Sequence, residues 1–136
     1  MATKVLDSHA LMALFNDQAG AEEVEKLLLK AEGGNPKLLM SVINWGEIYY
    51  SVMRGASPAM AEEKAKEIAG MQIELVPVDT DLHLVRQAAT FKATKKMSYA
   101  DCFAAALAKL RNAELVTGDP EFKAVEGEIK IGWLKK

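Results

Sequence analysis

Val5-Leu6-Asp7-Ser8-His9-Ala10-Leu11 decides how the rest of the chain is read. Thr3 to Leu6 has the length and apolar character of a short buried strand, and Ala10, Leu11 and Leu14 then recur at helical spacing. An acid, Asp7, stands where the strand passes into the helix. The same intrusion recurs three times. Glu47 lies inside Ile43-Asn44-Trp45-Gly46-Glu47-Ile48-Tyr49-Tyr50, Asp101 heads Cys102-Phe103-Ala104-Ala105-Ala106-Leu107-Ala108, and Asp119 follows Leu115-Val116-Thr117-Gly118. Asp and Glu are almost never fully buried unless something pairs with them. Most of these positions have no Lys or Arg beside them in sequence. One arrangement that accounts for all four places them around a divalent cation.

Outward from these segments, strands alternate with helices. Ala21, Val24, Leu27, Leu28 and Ala31 form one apolar stripe, and Gly33-Gly34-Asn35-Pro36 stops that helix. Leu38 to Met40 reads as a second strand, Ile43 to Met53 as a helix, and Pro58 to about Ala69 as another, with proline suited to its first turn. Ile73 to Val78 is a third strand, with Pro77 marking its end or a sheet edge. Asp81 to Lys95 is helical. Ser98 to Arg111 is a helix apolar nearly all round, which implies burial. Glu114 to Val116 is a fourth strand, and Ile129 to Ile131 is a candidate fifth. The alternation indicates an α/β fold with a mainly parallel sheet of four to five strands and helices on both faces. Ligands of such sheets bind at the carboxyl ends of strands, where Asp7 and Asp119 fall.

Each acid also has a purely structural explanation. Asp7 and Asp119 suit N-caps, the latter before Pro120, and both Asn44-Trp45-Gly46-Glu47 and Ser98-Tyr99-Ala100-Asp101 match a capping box. Four caps on one rim would crowd several carboxylates together. Two like charges about 5 Å apart repel by about 3 kcal/mol at an effective dielectric of about 20. Such a cluster calls for a cation or a raised pKa. A cap and a metal ligand are compatible, because the cap fixes the direction of the carboxylate.

With 136 residues, half of them hydrophobic and 26% charged, the chain is read as one globular domain, residues 1–136. A net charge of −2 supplies no global basic field, so any nucleic-acid contact must be local. Arg54, Lys92, Lys95 and Lys96 are the candidates, weighed against plain solvated charge. The single cysteine, Cys102, excludes an intrachain disulfide and a multi-cysteine metal site. No signal peptide and no bilayer-length apolar run stands out, so a cytoplasmic protein is the expectation, with no membrane partner. His9 and His83 lack the spacing of a zinc pair, and Gly33-Gly34 is not followed by the Lys-Ser/Thr of a phosphate loop. Trp45, Tyr49, Tyr50 and Trp133 suit base stacking, an interface or core packing alike.

Val5-Leu6-Asp7-Ser8, Ser41-Val42-Ile43-Asn44-Trp45-Gly46-Glu47, Ser98 through Ala108 and Leu115-Val116-Thr117-Gly118-Asp119-Pro120-Glu121-Phe122, in this order, resemble the PIN-domain ribonucleases. The likeness spans nearly the whole chain and is nearest to the small toxin subunits of VapBC-type toxin–antitoxin pairs. The resemblance implies a Rossmann-like three-layer α/β/α sandwich and Mg²⁺- or Mn²⁺-dependent endonuclease activity on RNA. It also implies a homodimer and a cognate antitoxin protein that neutralises it. By position, Asp7, Glu47, Asp101 and Asp119 take the family's acidic, metal-holding and catalytic roles, and Ser8 and Thr117 its supporting hydroxyls. Mg²⁺ uses few carboxylates and keeps several waters, which fits Asp7, Asp101 and Asp119 as ligands and Glu47 as the group that positions or deprotonates the attacking water. Other readings stay open. A PIN-type nuclease of RNA processing would use the same residues. A Rossmann-like phosphatase would use Asp7 as nucleophile, although His stands at position 9 where a second Asp is usual. A non-catalytic binding module would use the acids only as caps.

Overall fold

The computed structural model describes residues 2–135. Five strands form one parallel sheet: β1 (Thr3–Leu6), β2 (Lys37–Ser41), β3 (Ile73–Val76), β4 (Glu114–Thr117) and β5 (Ile131–Trp133), in the order β3-β2-β1-β4-β5. Six helices connect them: α1 (Ser8–Phe15), α2 (Ala21–Glu32), α3 (Val42–Gly55), α4 (Pro58–Ala69), α5 (His83–Thr94) and α6 (Tyr99–Leu110). A short 3-10 helix, Pro120–Val125, follows β4.

Strand side chains alternate between the two faces of the sheet, which makes the layers. Val5, Leu39 and Leu115 pack with α5 and α6 residues, among them Ala88, Phe91, Phe103 and Leu107. Their neighbours Leu6, Leu38, Met40 and Val116 pack on the other face with Leu11, Val24, Ile48 and Ile68. The result is an α/β/α sandwich. The chain starts in the central strand, crosses to β2 and β3 on one side, and then returns to β4 and β5 on the other. That reversal leaves a crevice outside the carboxyl ends of β1 and β4, the place where open parallel sheets take ligands. α6 is buried continuously from Asp101 to Ala108, as its all-round apolar sequence requires. No helix among the described residues is long and apolar enough to cross a membrane.

Several boundaries differ from the sequence reading, each for a local reason. β3 stops at Val76 because Pro77 has no N–H to continue the ladder. α5 begins at His83, since Leu82 takes a left-handed conformation (φ 68°) and the Asp81 carboxylate accepts the His83 N–H. β5 begins at Ile131, not Ile129. The amides of Glu128 and Ile129 both donate to the Val125 carbonyl, which keeps that segment in a turn. The proposed Asn44–Glu47 capping box does not exist. α3 starts earlier, capped by Ser41, whose hydroxyl accepts from the Ile43 amide, and Asn44 is a buried residue within the helix.

Candidate active site

Each acid is delivered to the rim by the end of an element. Asp7 is fully buried between β1 and α1 and is the N-cap of α1, accepting the Ala10 amide at 2.9 Å. Its other oxygen accepts the Thr117 hydroxyl at 2.6 Å, which ties β1 to β4. Thr117, also fully buried, accepts the Asp119 amide at 3.0 Å through the same oxygen. Asp119 caps the 3-10 helix, accepting the Glu121 amide at 2.9 Å. A single chain of polar contacts therefore runs from α1 through Asp7, Thr117 and Asp119 into the 3-10 helix.

Glu47 comes from the second turn of α3, partly buried, and accepts the Ser8 hydroxyl. Asp101 comes from the first turn of α6 and is 6% exposed. Its amide donates to the Ser98 hydroxyl at 3.2 Å, one half of a capping box. The reciprocal half is not made by Asp101. The Ser98 amide donates instead to the Glu121 carboxylate, which arrives from the 3-10 helix. Asn44 joins α3 to α6 by donating from Nδ2 to the Ala100 carbonyl at 3.1 Å.

Of the four acids predicted from sequence, Asp101 and Asp119 meet directly, Asp7 lies within charge range of both, and Glu47 lies within charge range of Asp7. Asp7 feels the charges of Asp119 and Glu47, and Asp101 those of Asp119, Glu121 and Asp7. Oxygens of Asp101, Asp119 and Glu121 all lie within 4.8 Å of one another. Glu121 is the member that the sequence reading missed. The Asp119 cap folds the chain so that residues 119 and 121 face the same space, a juxtaposition that an acid two positions past an Asp-Pro cap foreshadows.

This cluster carries its charge poorly. Burial, above all, pushes Asp7 from 3.8 up to about 7, against the lowering influence of the Thr117 hydroxyl and the Ala10 amide. Burial also leads for Asp101, pushed up to about 8, followed by the charge of Asp119 and a hydrogen bond with Glu121. Among the described residues, the ion pairs are Lys4–Glu114, Lys37–Glu74, Lys64–Glu67, Lys95–Glu128 and Lys109–Glu128. None reaches the cluster. The proposed cationic approach residues make contacts outside the acidic cluster. Arg54 sits 5.0 Å over the Tyr50 ring, Lys92 donates to the Met97 carbonyl at 2.8 Å, Lys95 pairs with Glu128 at 3.1 Å, and Lys96 is exposed.

The donor set suits a hard divalent cation. It is all oxygen, it is anionic, and no ion pair among the described residues balances it. Asn44 adds a second indication. Its Oδ1 is buried without a hydrogen-bond donor among the described residues, on the side chain that links the helices of Glu47 and Asp101. A hydrated cation bound near it would supply water donors for that oxygen.

A family model for the PIN domain matches residues 4–128. The chain belongs to the PIN-domain family. No curated protein sequence matches it significantly. Among solved structures, this PIN domain is similar to a chain of the VapBC2 complex of Rickettsia felis bound to a promoter DNA fragment. That match has a TM-score of 0.72 and 17% identity, and covers 98% of this chain and 99% of the other. It is also similar to a sarcin–ricin-loop-cleaving VapC toxin of Mycobacterium tuberculosis, with TM-score 0.70, 19% identity and coverage of 90% and 94%. A chain of the DNA-bound VapBC of Salmonella typhimurium gives 0.69, 20%, 97% and 98%. At these identities the likeness shows a shared fold. PIN domains are nucleases, and the acidic cluster stands where this fold places its ligands.

Proposed function

We propose that this PIN domain is a Mg²⁺- or Mn²⁺-dependent endoribonuclease, and that it serves in the cytoplasm as the toxin of a toxin–antitoxin pair. The observation that carries the reading is the convergence of Asp7, Asp101 and Asp119, joined by Glu121 and with Glu47 near Asp7, at the strand carboxyl ends with no ion pair among the described residues to balance them. Asp7, Asp101 and Asp119 would hold the cation, with Glu121 beside the last two. When bound, the cation would neutralise phosphate charge and acidify a water. Hydrolysis adds the water oxygen to phosphorus, breaks one phosphorus–oxygen ester bond and leaves a proton for the departing oxygen. Glu47, held by the Ser8 hydroxyl, would orient the water and take its proton. Thr117 fixes Asp7 and Asp119 in one register.

RNA is the proposed substrate, approached through Arg54, Lys92, Lys95 and Lys96. A cognate antitoxin is the proposed partner, since an Arg or Lys set among the acids would compete with the metal by direct pairing. A homodimer through α3 is proposed as well, where Tyr50 is 49% and Met53 36% exposed next to Tyr49. The phosphatase alternative finds no support at position 9, because His9 is engaged with the Gly118 amide.

The test is calorimetry with Mn²⁺ and Mg²⁺ on the purified chain, followed by cleavage of a broad RNA panel at low salt. Binding below millimolar and metal-dependent cleavage are expected. No divalent-ion binding at millimolar concentration, with every RNA intact, would leave only the binding-module reading.

A further inference from the structure

The His9 imidazole lies over the turn that delivers Asp119. Its Nδ1 accepts the Gly118 amide at 3.3 Å, so in this contact the neutral ring carries its proton on Nε2. The contact is close enough to dictate the neighbouring residue. A Cβ on Gly118 would stand 2.7 Å from His9 Cε1, and no other group is so near. Gly118 therefore has no side chain because the imidazole fills that space. The residues on either side of this contact are acids of the site. Asp7 lies two positions before His9, and Asp119 directly follows Gly118.

We infer that His9 is a positioning residue for the metal-holding acids, clamping the Thr117-Gly118-Asp119 turn onto α1 so that Asp119 faces Asp7 and Asp101. The Asp119 carboxylate is oriented by one contact of its own, the Glu121 amide, and its backbone by the Thr117 hydroxyl. Both belong to the same turn and move with it. The contacts that tie the turn to the first helical segment are Thr117 with Asp7, at the strand end, and Gly118 with His9, one step nearer to Asp119. Beyond Asp119 the chain is held from other elements, by the Ser98 amide on Glu121 and by buried Phe122, and before it the Leu134 amide holds the Thr117 carbonyl, so the Gly118–His9 contact is what fixes the peptide before Asp119 from the α1 side. Partners that orient metal ligands in this indirect way are worth about 10- to 100-fold in metal affinity when removed.

The inference rests on the proposed metal-dependent reading, and the experiment separates the two. Mn²⁺ affinity is measured by calorimetry, with RNA cleavage and melting temperature, for the wild type and for His9→Phe, His9→Asn, His9→Ala, Gly118→Ala and the His9→Ala/Gly118→Ala double variant. Phe keeps bulk and loses the acceptor. Asn places Oδ1 at the same bond distance from Cα as Nδ1 and restores it. His9→Phe is expected to weaken Mn²⁺ binding about tenfold and to lower kcat, while His9→Asn stays within about threefold of wild type on the same scale. Gly118→Ala should weaken binding similarly in the wild-type background and add nothing in the His9→Ala background, because the clash partner is gone. Wild-type Mn²⁺ affinity in His9→Phe, or a full and additive Gly118→Ala effect in the His9→Ala background, overturns the clamp and leaves the nuclease reading intact. A fall in melting temperature shared equally by Phe and Asn, with no difference in Mn²⁺ affinity between them, makes His9 a packing residue only and overturns it too. A wild-type protein that binds no Mn²⁺ and cleaves no RNA overturns the functional reading itself, and the clamp with it.

Discussion

At Asp7 the backbone role and the charge come apart. The carboxylate caps α1 through Ala10 and receives the Thr117 hydroxyl, and both contacts need an acceptor, not an anion. Asp7→Asn keeps an acceptor for the cap, and its amide can donate back to the Thr117 oxygen after the hydroxyl rotates. The same substitution removes a charge that burial already disfavours. Asp7→Asn, Asp101→Asn and Asp119→Asn are therefore expected to lose about 100-fold or more in RNA cleavage, as loss of a key electrostatic group does. In EDTA at pH 8 their melting temperatures should equal or exceed wild type by a few degrees. Full cleavage by any two of them would remove these acids from the active site. Asp7, Glu47, Asp101 and Asp119 were legible in sequence because each interrupts an apolar segment. His9 and Glu121 were not, because what matters in each is a partner that only the fold supplies: Gly118 for one, the Ser98 amide and Asp101 for the other.

Among the elements, the start of α6 and the 3-10 helix form a unit. Glu121 takes the amide that Asp101 would take in a complete capping box, and this frees the Asp101 carboxylate to face Asp119. The substitution Glu121→Gln retains an oxygen for the Ser98 amide and deletes the charge. It should raise the metal-free melting temperature slightly, since Glu121 helps to raise Asp101, and weaken Mn²⁺ binding about tenfold if the carboxylate is a ligand or orients one. Calorimetry on this variant decides the matter, and unchanged affinity would place Glu121 outside the metal site. Most strands and helices were readable from periodicity and Pro or Gly stops. The errors fall where a non-local or turn contact overrode the pattern, as with Ser41 displacing Asn44 as the cap and the Val125 carbonyl holding Ile129 out of β5.

For the whole molecule, the parallel order β3-β2-β1-β4-β5 gathers acids from four separate connections at one rim, and the charge they accumulate must show in stability. The alternation of strands and helices made the layered sheet readable. The convergence was not readable from spacing, because it depends on which strands become neighbours. In the unfolded chain Asp7 and Asp101 titrate near 3.8, but in the folded metal-free protein they titrate near 7 and 8. Between those limits the native state holds more protons than the unfolded state, so unfolding free energy falls as pH rises. The stability is fully present below about pH 4 and is lost as pH passes through 7 and 8, where both groups finally ionise inside the fold. With the coupling and partial solvation of the pair discounted, the loss is on the order of a few kcal/mol, or on the order of 5–10 °C between about pH 5.5 and 8.5. Saturating Mn²⁺ binds the ionised carboxylates of the folded state alone, so its stabilisation grows with pH and reaches about 2.7 kcal/mol at 100 times Kd. Thermal melts in EDTA should therefore decline from pH 5.5 to 8.5, melts in Mn²⁺ should hold level or rise, and the Asp7→Asn/Asp101→Asn double variant should lose most of the EDTA slope. That variant also separates these acids from His9 and His83, which it leaves in place. A metal-free melting temperature that climbs over this range would show that the buried acids already have the counter-charge this reading assigns to the cation.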